Sequence, residues 1–173
     1  YSALTFYTDF ANQAKQTYTW NAQQPNSLEA FLQGKTAFFF GYAYYQPLIK
    51  ARAPRLNLGI TKLPQIEDNP VKNFANYWYF VVSKKTKYPD AAWSFLNFLA
   101  LPDNSAKVLE IVKRPAARKS LLASQLEDEV VGVFASQVLT AMSWYQGNDP
   151  RTAESALLTL IDDIVGVRAE MPV

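Results

Sequence analysis

Two kinds of apolar pattern alternate along this chain, and that alternation constrains its fold more than any other feature. Short apolar-rich runs occupy 35–41, 56–61 and 74–83, the middle one alternating as Leu56-Asn57-Leu58-Gly59-Ile60-Thr61. The first holds Ala37-Phe38-Phe39-Phe40 and ends at Gly41, and the last holds Tyr77-Trp78-Tyr79-Phe80-Val81-Val82. Runs this short, rich in aromatic and β-branched residues, predict strands, and the first would be buried on both faces. Between them, apolar residues recur at helical spacing. Helices are expected over 3–14, 28–33 and 42–53, from Pro89, from Pro102 to Pro115, over 130–145 and from Pro150, with a short helical turn at 118–123. Strands alternating with helices predict an α/β or α+β fold.

Local signals mark several helix ends. Ser27 or Asn26 suits the N-cap of the helix at 28–33, and Gly34 suits the position just past its end. Pro89 and Pro150 stand at first helical positions, and Asp90 lies in a first turn. The helix from Pro150 carries Ala153, Leu157, Leu160, Ile161 and Ile164 on one stripe. Glu127-Asp128-Glu129 resembles an acidic helix start, where negative charge meets the positive end of the helix dipole. The polar stretch 65–72 is the best linker candidate.

Composition narrows the chemistry. The chain has no His and no Cys, which removes thiol, imidazole and disulfide chemistry, and no cofactor or metal site is expected. Basic and acidic residues nearly balance, with a net charge of +2 and no long run of one sign, so nucleic acid is not an expected partner. Lys84-Lys85-Thr86-Lys87 reads as a solvated turn. The longest apolar run, 36–45, falls short of the roughly 20 residues a membrane span needs. With 6 scattered Gly, no phosphate-binding loop is present. Asp162 and Asp163 are neighbours on a helix and point apart, so they do not form a catalytic pair. A glycosidase would need carboxylates about 5–10 Å apart across a cleft, and no good pair is evident. The chain opens directly on a helical pattern without Met, which raises the expectation that its original N-terminus is missing.

Aromatic residues form 14% of the chain, too many for a core this small to enclose. They cluster in three places. Tyr42, Tyr44 and Tyr45 sit where a strand is expected to pass into a helix, the place where ligands approach open α/β sheets. A tyrosine offers a flat apolar face to sugar C–H groups and a hydroxyl to their polar edge; packing between sheet and helices is the equally weighted alternative. Asn76, Tyr77, Trp78 and Tyr79 form the second cluster, with Tyr77 and Tyr79 expected on one face. Trp144, beside Ser143 and Tyr145, is either a ligand contact or a cap over the core.

These residues also resemble a known family. Ser27-x-x-Ala30-Phe31-x-x-Gly34-Lys35-x-Ala37, then Leu58-Gly59-Ile60-x-x-Leu63-Pro64, then the block from Val81 through Lys84, Pro89 and Trp93 to Leu99, are similar in order and spacing to family 1 extracellular solute-binding proteins, a group that includes maltose-binding protein. The resemblance implies an α/β, periplasmic-binding-protein type II-like architecture of two lobes, lacking most of the N-terminal lobe. Residues 1–72 would belong to the second lobe, 73–129 to the end of the first, and 130–173 to helices returning to the second. It implies capture of a sugar between lobes for the membrane subunits of an ABC transporter, a periplasmic or extracellular location, an anchor through a missing N-terminus, and no enzymatic activity. Aromatics after the strand-end Gly, here Tyr42, Tyr44 and Tyr45, would meet ligand. So would Asn76, Tyr77 and Trp78 on the segment entering the returning strand, and Arg114 on a loop. Phe38-Phe39-Phe40 replaces the family's usual small or Met residues, and Tyr42 stands where Pro is common. A polyol phosphate, a peptide or a polyamine is therefore a rival ligand, and a structural or interaction role the rival function.

Overall fold

The computed structural model describes residues 1–144 and 147–170; Tyr145, at the end of the expected 130–145 helix, lies outside them. In chain order the elements are α1 (Ser2–Asp9), α2 (Ser27–Leu32), α3 (Tyr45–Arg52), β1 (Asn73–Phe74), α4 (Pro89–Ala100), α5 (Pro102–Val112), α6 (Lys119–Gln125), α7 (Val131–Ala135), a 3-10 turn (Val138–Thr140), β2 (Ala141–Met142) and α8 (Pro150–Glu170). They fall into two units, one of Tyr1–Ala37 with Trp144–Val173, the other of Phe38–Ser143.

In the first unit α1 lies against α8. The helix expected over 3–14 stops at Asp9 because its next bonds are taken. The Phe10 carbonyl accepts from Thr19 N at 2.8 Å, and Ala14 N donates to the Asn12 side chain at 3.0 Å. Asn side chains compete with helical bonding in this way. Thr8, the buried polar residue of α1, donates its hydroxyl to the Leu4 carbonyl at 3.0 Å. The caps of α2 follow expectation, with Asn26 as the N-cap. Its Oδ1 accepts from Leu28 N at 3.0 Å. Past the other end, Gly34 takes a φ of +71°. Gly34 N donates to Phe31 O at 2.9 Å and Lys35 N to Ala30 O at 2.8 Å, the paired bonds of a Schellman ending. Asp149 caps α8, its Oδ1 accepting from Arg151 N at 3.1 Å.

The second unit is built around α5, α6 and α7. Buried Ala116, Leu122 and Ala135 form its core, with Leu109, Leu121 and Val138 packed on them. Asp128 starts α7, as the acidic cluster suggested: its Oδ1 accepts from Val130 N at 2.9 Å and Val131 N at 2.8 Å. These bonds hold its carboxyl below the ordinary range, with the Val131 amide contributing most. The helix expected over 130–145 is instead α7, a 3-10 turn and β2. Gln137 explains the break. Its Nε2 donates to the Val133 carbonyl at 2.9 Å, while its own amide turns to the Phe134 carbonyl at 3.1 Å.

The strand expectations need correction. Residues 35–41, 56–61 and 77–82 join no ladder; the ladder among the described residues is β1 with β2, parallel, with Asn73 opposite Ala141 and Phe74 opposite Met142. A strand is defined by a backbone partner, which apolar periodicity does not report. Unpaired, these runs leave large side chains in solvent: Phe38 is 85% exposed and Val81 83%. The helices of the expected α/β class are present, while among the described residues its sheet is reduced to one short pair.

Candidate functional site

The tyrosine cluster is set by a tight turn into α3. Tyr45 N donates to Tyr42 O at 3.0 Å and Gln46 N to Ala43 O at 3.1 Å. Buried Ala43 and Ile49 anchor the turn and the helix. This places α3 later than the expected start at residue 42 and leaves Tyr42 and Tyr44 on the turn. Their rings stack, with centroids 5.9 Å apart and planes at 24°. Tyr44 and Tyr45 lie closer still, at 4.3 Å.

Phe39 completes the group, meeting Tyr45 edge to face at 5.1 Å. Gly41 makes this possible. A Cβ there would come within 2.7 Å of the Phe39 ring and 2.9 Å of the Tyr45 ring. The run 35–41 was expected to be a buried strand, so Phe39 was not anticipated as a neighbour of Tyr45.

A hydrogen bond shared with Tyr45 pushes the Tyr44 phenol up to about 12, with burial and the neighbouring phenols adding to it. The positive charge of Arg114 acts on the same phenol in the opposite direction. Arg114 makes no ion pair among the described residues. It follows Lys113, whose φ of +51° turns the chain after α5. The Gln125 side chain then clamps the loop: its Nε2 donates to Arg114 O at 2.9 Å, and its Oε1 accepts from Ala116 N at 2.7 Å.

Asn76, Tyr77 and Trp78 lie just beyond β1 and are exposed, Trp78 by 77%. Tyr77 and Tyr79 come together as alternation predicted, with ring centroids 6.5 Å apart. Among the described residues no hydrogen bond or ring contact joins this group to the tyrosine cluster. Trp144 belongs to the first unit and is 38% exposed.

A separate groove of about 170 Å³ runs between α5, α6 and α7, lined by Leu109, Lys113, Leu121, Gln125, Asp128 and Val131 among others. It is smaller than the roughly 300–1,000 Å³ usual for small-molecule pockets, and none of the tyrosines lines it. The described residues contain no cluster of His, Cys, Asp and Glu able to hold a metal ion.

Residues 1–106 match the model of the bacterial extracellular solute-binding proteins, which is more than half of the chain. The chain belongs to that family. No curated protein matches it significantly. The match spans the tyrosine cluster and the Asn76–Trp78 segment; Arg114 and Trp144 lie beyond it. Membership brings a periplasmic-binding-protein-like fold and a role in extracellular solute binding for ABC transporters. Such proteins are generally not enzymes. No described helix of this solute-binding protein is long and apolar enough to cross a membrane.

Proposed function

We propose that this solute-binding protein takes a carbohydrate, and that Tyr42, Tyr44, Tyr45 and Arg114 are among its contacts. The carrying observation is the stacked and tilted tyrosine group, with Tyr42 still 42% exposed. Stacked phenols offer contiguous apolar faces and nearby hydroxyls, the combination a pyranose ring requires. Asn76, Tyr77 and Trp78 are proposed as further contacts, supported by the exposure of their side chains. Binding needs no chemistry from the protein, and delivery falls to the membrane subunits of an ABC importer.

A thermal-shift series against sugars, polyols, amino acids and peptides tests this, because a ligand that binds the native state raises the melting temperature. A shift with sugars is expected, and Tyr44→Ala should weaken that binding about tenfold. A shift confined to peptides or amino acids would replace the ligand. Silence throughout would favour a structural role.

A further inference from the structure

Gly41 is a glycine for space and not for backbone conformation. The glycines with positive φ are Gly34 and Gly147, so the backbone at Gly41 would accept a side chain. The room for one is missing. A Cβ there would meet the Phe39 ring at 2.7 Å and the Tyr45 ring at 2.9 Å. Both are side-chain atoms, so an added methyl would displace rings and leave the path of the chain in place. Phe39 differs from its neighbours in the same respect. Phe38 is 85% exposed and Phe40 73%, whereas Phe39 is half-buried and meets Tyr45 edge to face at 5.1 Å and 86°. Tyr45 lies 4.3 Å from Tyr44, and Tyr44 stacks on Tyr42. Four rings thus touch in series, with Tyr45 as the link between Phe39 and the stacked pair. An edge-to-face contact favours one mutual orientation of its rings, so Phe39 restricts the turning of Tyr45. The hydrogen bond that Tyr45 shares with the Tyr44 phenol depends on that orientation.

We infer that Phe39 is a positioning residue for the tyrosine site, holding Tyr45 against Tyr44, and that Gly41 keeps open the space in which the two rings meet. What the rings bind rests on the carbohydrate reading; how they are held does not.

Two measurements on the full chain test it, ultraviolet titration of the ligand-free phenols and calorimetry with glucose, xylose and maltose. In Gly41→Ala and in Phe39→Leu the late phenol step should move toward the ordinary value. Sugar binding should weaken by about three- to tenfold, the range one oriented aromatic pair is worth. Because both variants act through one ring, the double variant should lose little more than the larger single loss. Phe39→Tyr keeps an aromatic edge and should keep the binding. Phe38→Leu, on an exposed neighbour, should change neither readout. Loss of packing alone would lower the melting temperature without moving the phenol step. A late step unchanged in both Gly41→Ala and Phe39→Leu would overturn the inference. So would a step that moves while sugar binding holds, or fully additive losses in the double variant. A parent silent to all three sugars, with the step still moving in the variants, would count against the carbohydrate reading and uphold the positioning of the rings.

Discussion

Asn73 and Thr140 are 67 positions apart in sequence, and the Asn73 Nδ2 donates to the Thr140 Oγ1 at 2.7 Å. Asn73 is 5% exposed, and Gln65 also reaches it. The pair locks the registers of β1 and β2, a ladder too short to hold itself. Asn73→Ala should destabilise the chain by about 0.5–1.5 kcal/mol, the net worth of one hydrogen bond, because the exposed Thr140 hydroxyl can turn to water. Urea unfolding of Asn73→Ala, Thr140→Val and the double variant checks this, and additive losses would show that the bond is not the cause.

Two glycines predict opposite responses to the same change. A Cβ on Gly132 would come within 2.7 Å of the Leu126 carbonyl oxygen, which is backbone and cannot step aside. Gly132→Ala should cost about 1–3 kcal/mol through a displaced α7. At Gly166, in α8, a Cβ meets nothing within 4 Å. Gly166→Ala should therefore stabilise by roughly 0.5–1 kcal/mol, the helical advantage of Ala over Gly. Thermal unfolding of the two variants decides it, and shifts of the same sign would contradict the packing at Gly132.

Asp128 ties stability to acid pH. Its carboxyl is lowered in the fold by amide bonds from Val131 and Val130. A depressed folded value contributes stability above the unfolded carboxylate value, near pH 4, and loses it as pH falls through the folded value. Asp128→Ala should cost about 1 kcal/mol at neutral pH. Its deficit relative to the parent should shrink below roughly pH 4. A deficit independent of pH would show that the ionised cap is not the origin.

Tyr44 gives the opposite dependence at alkaline pH. Its phenol stands at about 12, against an ordinary 10.0, first because of the bond shared with Tyr45. A raised folded value contributes stability below the unfolded value and loses it as pH rises through the folded one. Ultraviolet titration of phenolate should show one tyrosine ionising late, absent in Tyr44→Phe. Tyr45→Phe should bring that step down. An unchanged step in Tyr45→Phe would place its cause elsewhere.

Much of the helical layout was legible from residue order, at particular places. Asn26 and Gly34 end α2 as their chemistry requires, and Pro89, Pro102 and Pro150 each begin a helix. Each signal acts on amides or carbonyls a few residues away, so the chain's neighbours suffice. The premature end of α1 and the breakup of the 130–145 helix were less visible. They depend on whether Asn12 and Gln137 turn their amides onto their own backbone.

The candidate site divides the same way. Tyr42, Tyr44 and Tyr45 are close in sequence, and a turn into a helix was enough to stack them. Residue pattern also settled the missing chemistry, since a chain without His or Cys offers no imidazole or thiol in any fold. Which apolar runs find a ladder partner, and that Asn73 meets Thr140, were decided by tertiary structure. Strand pairing and this hydrogen bond join residues tens of positions apart. Their energies depend on which backbone and which side chain arrive at one place, a property of the folded chain that local periodicity does not encode.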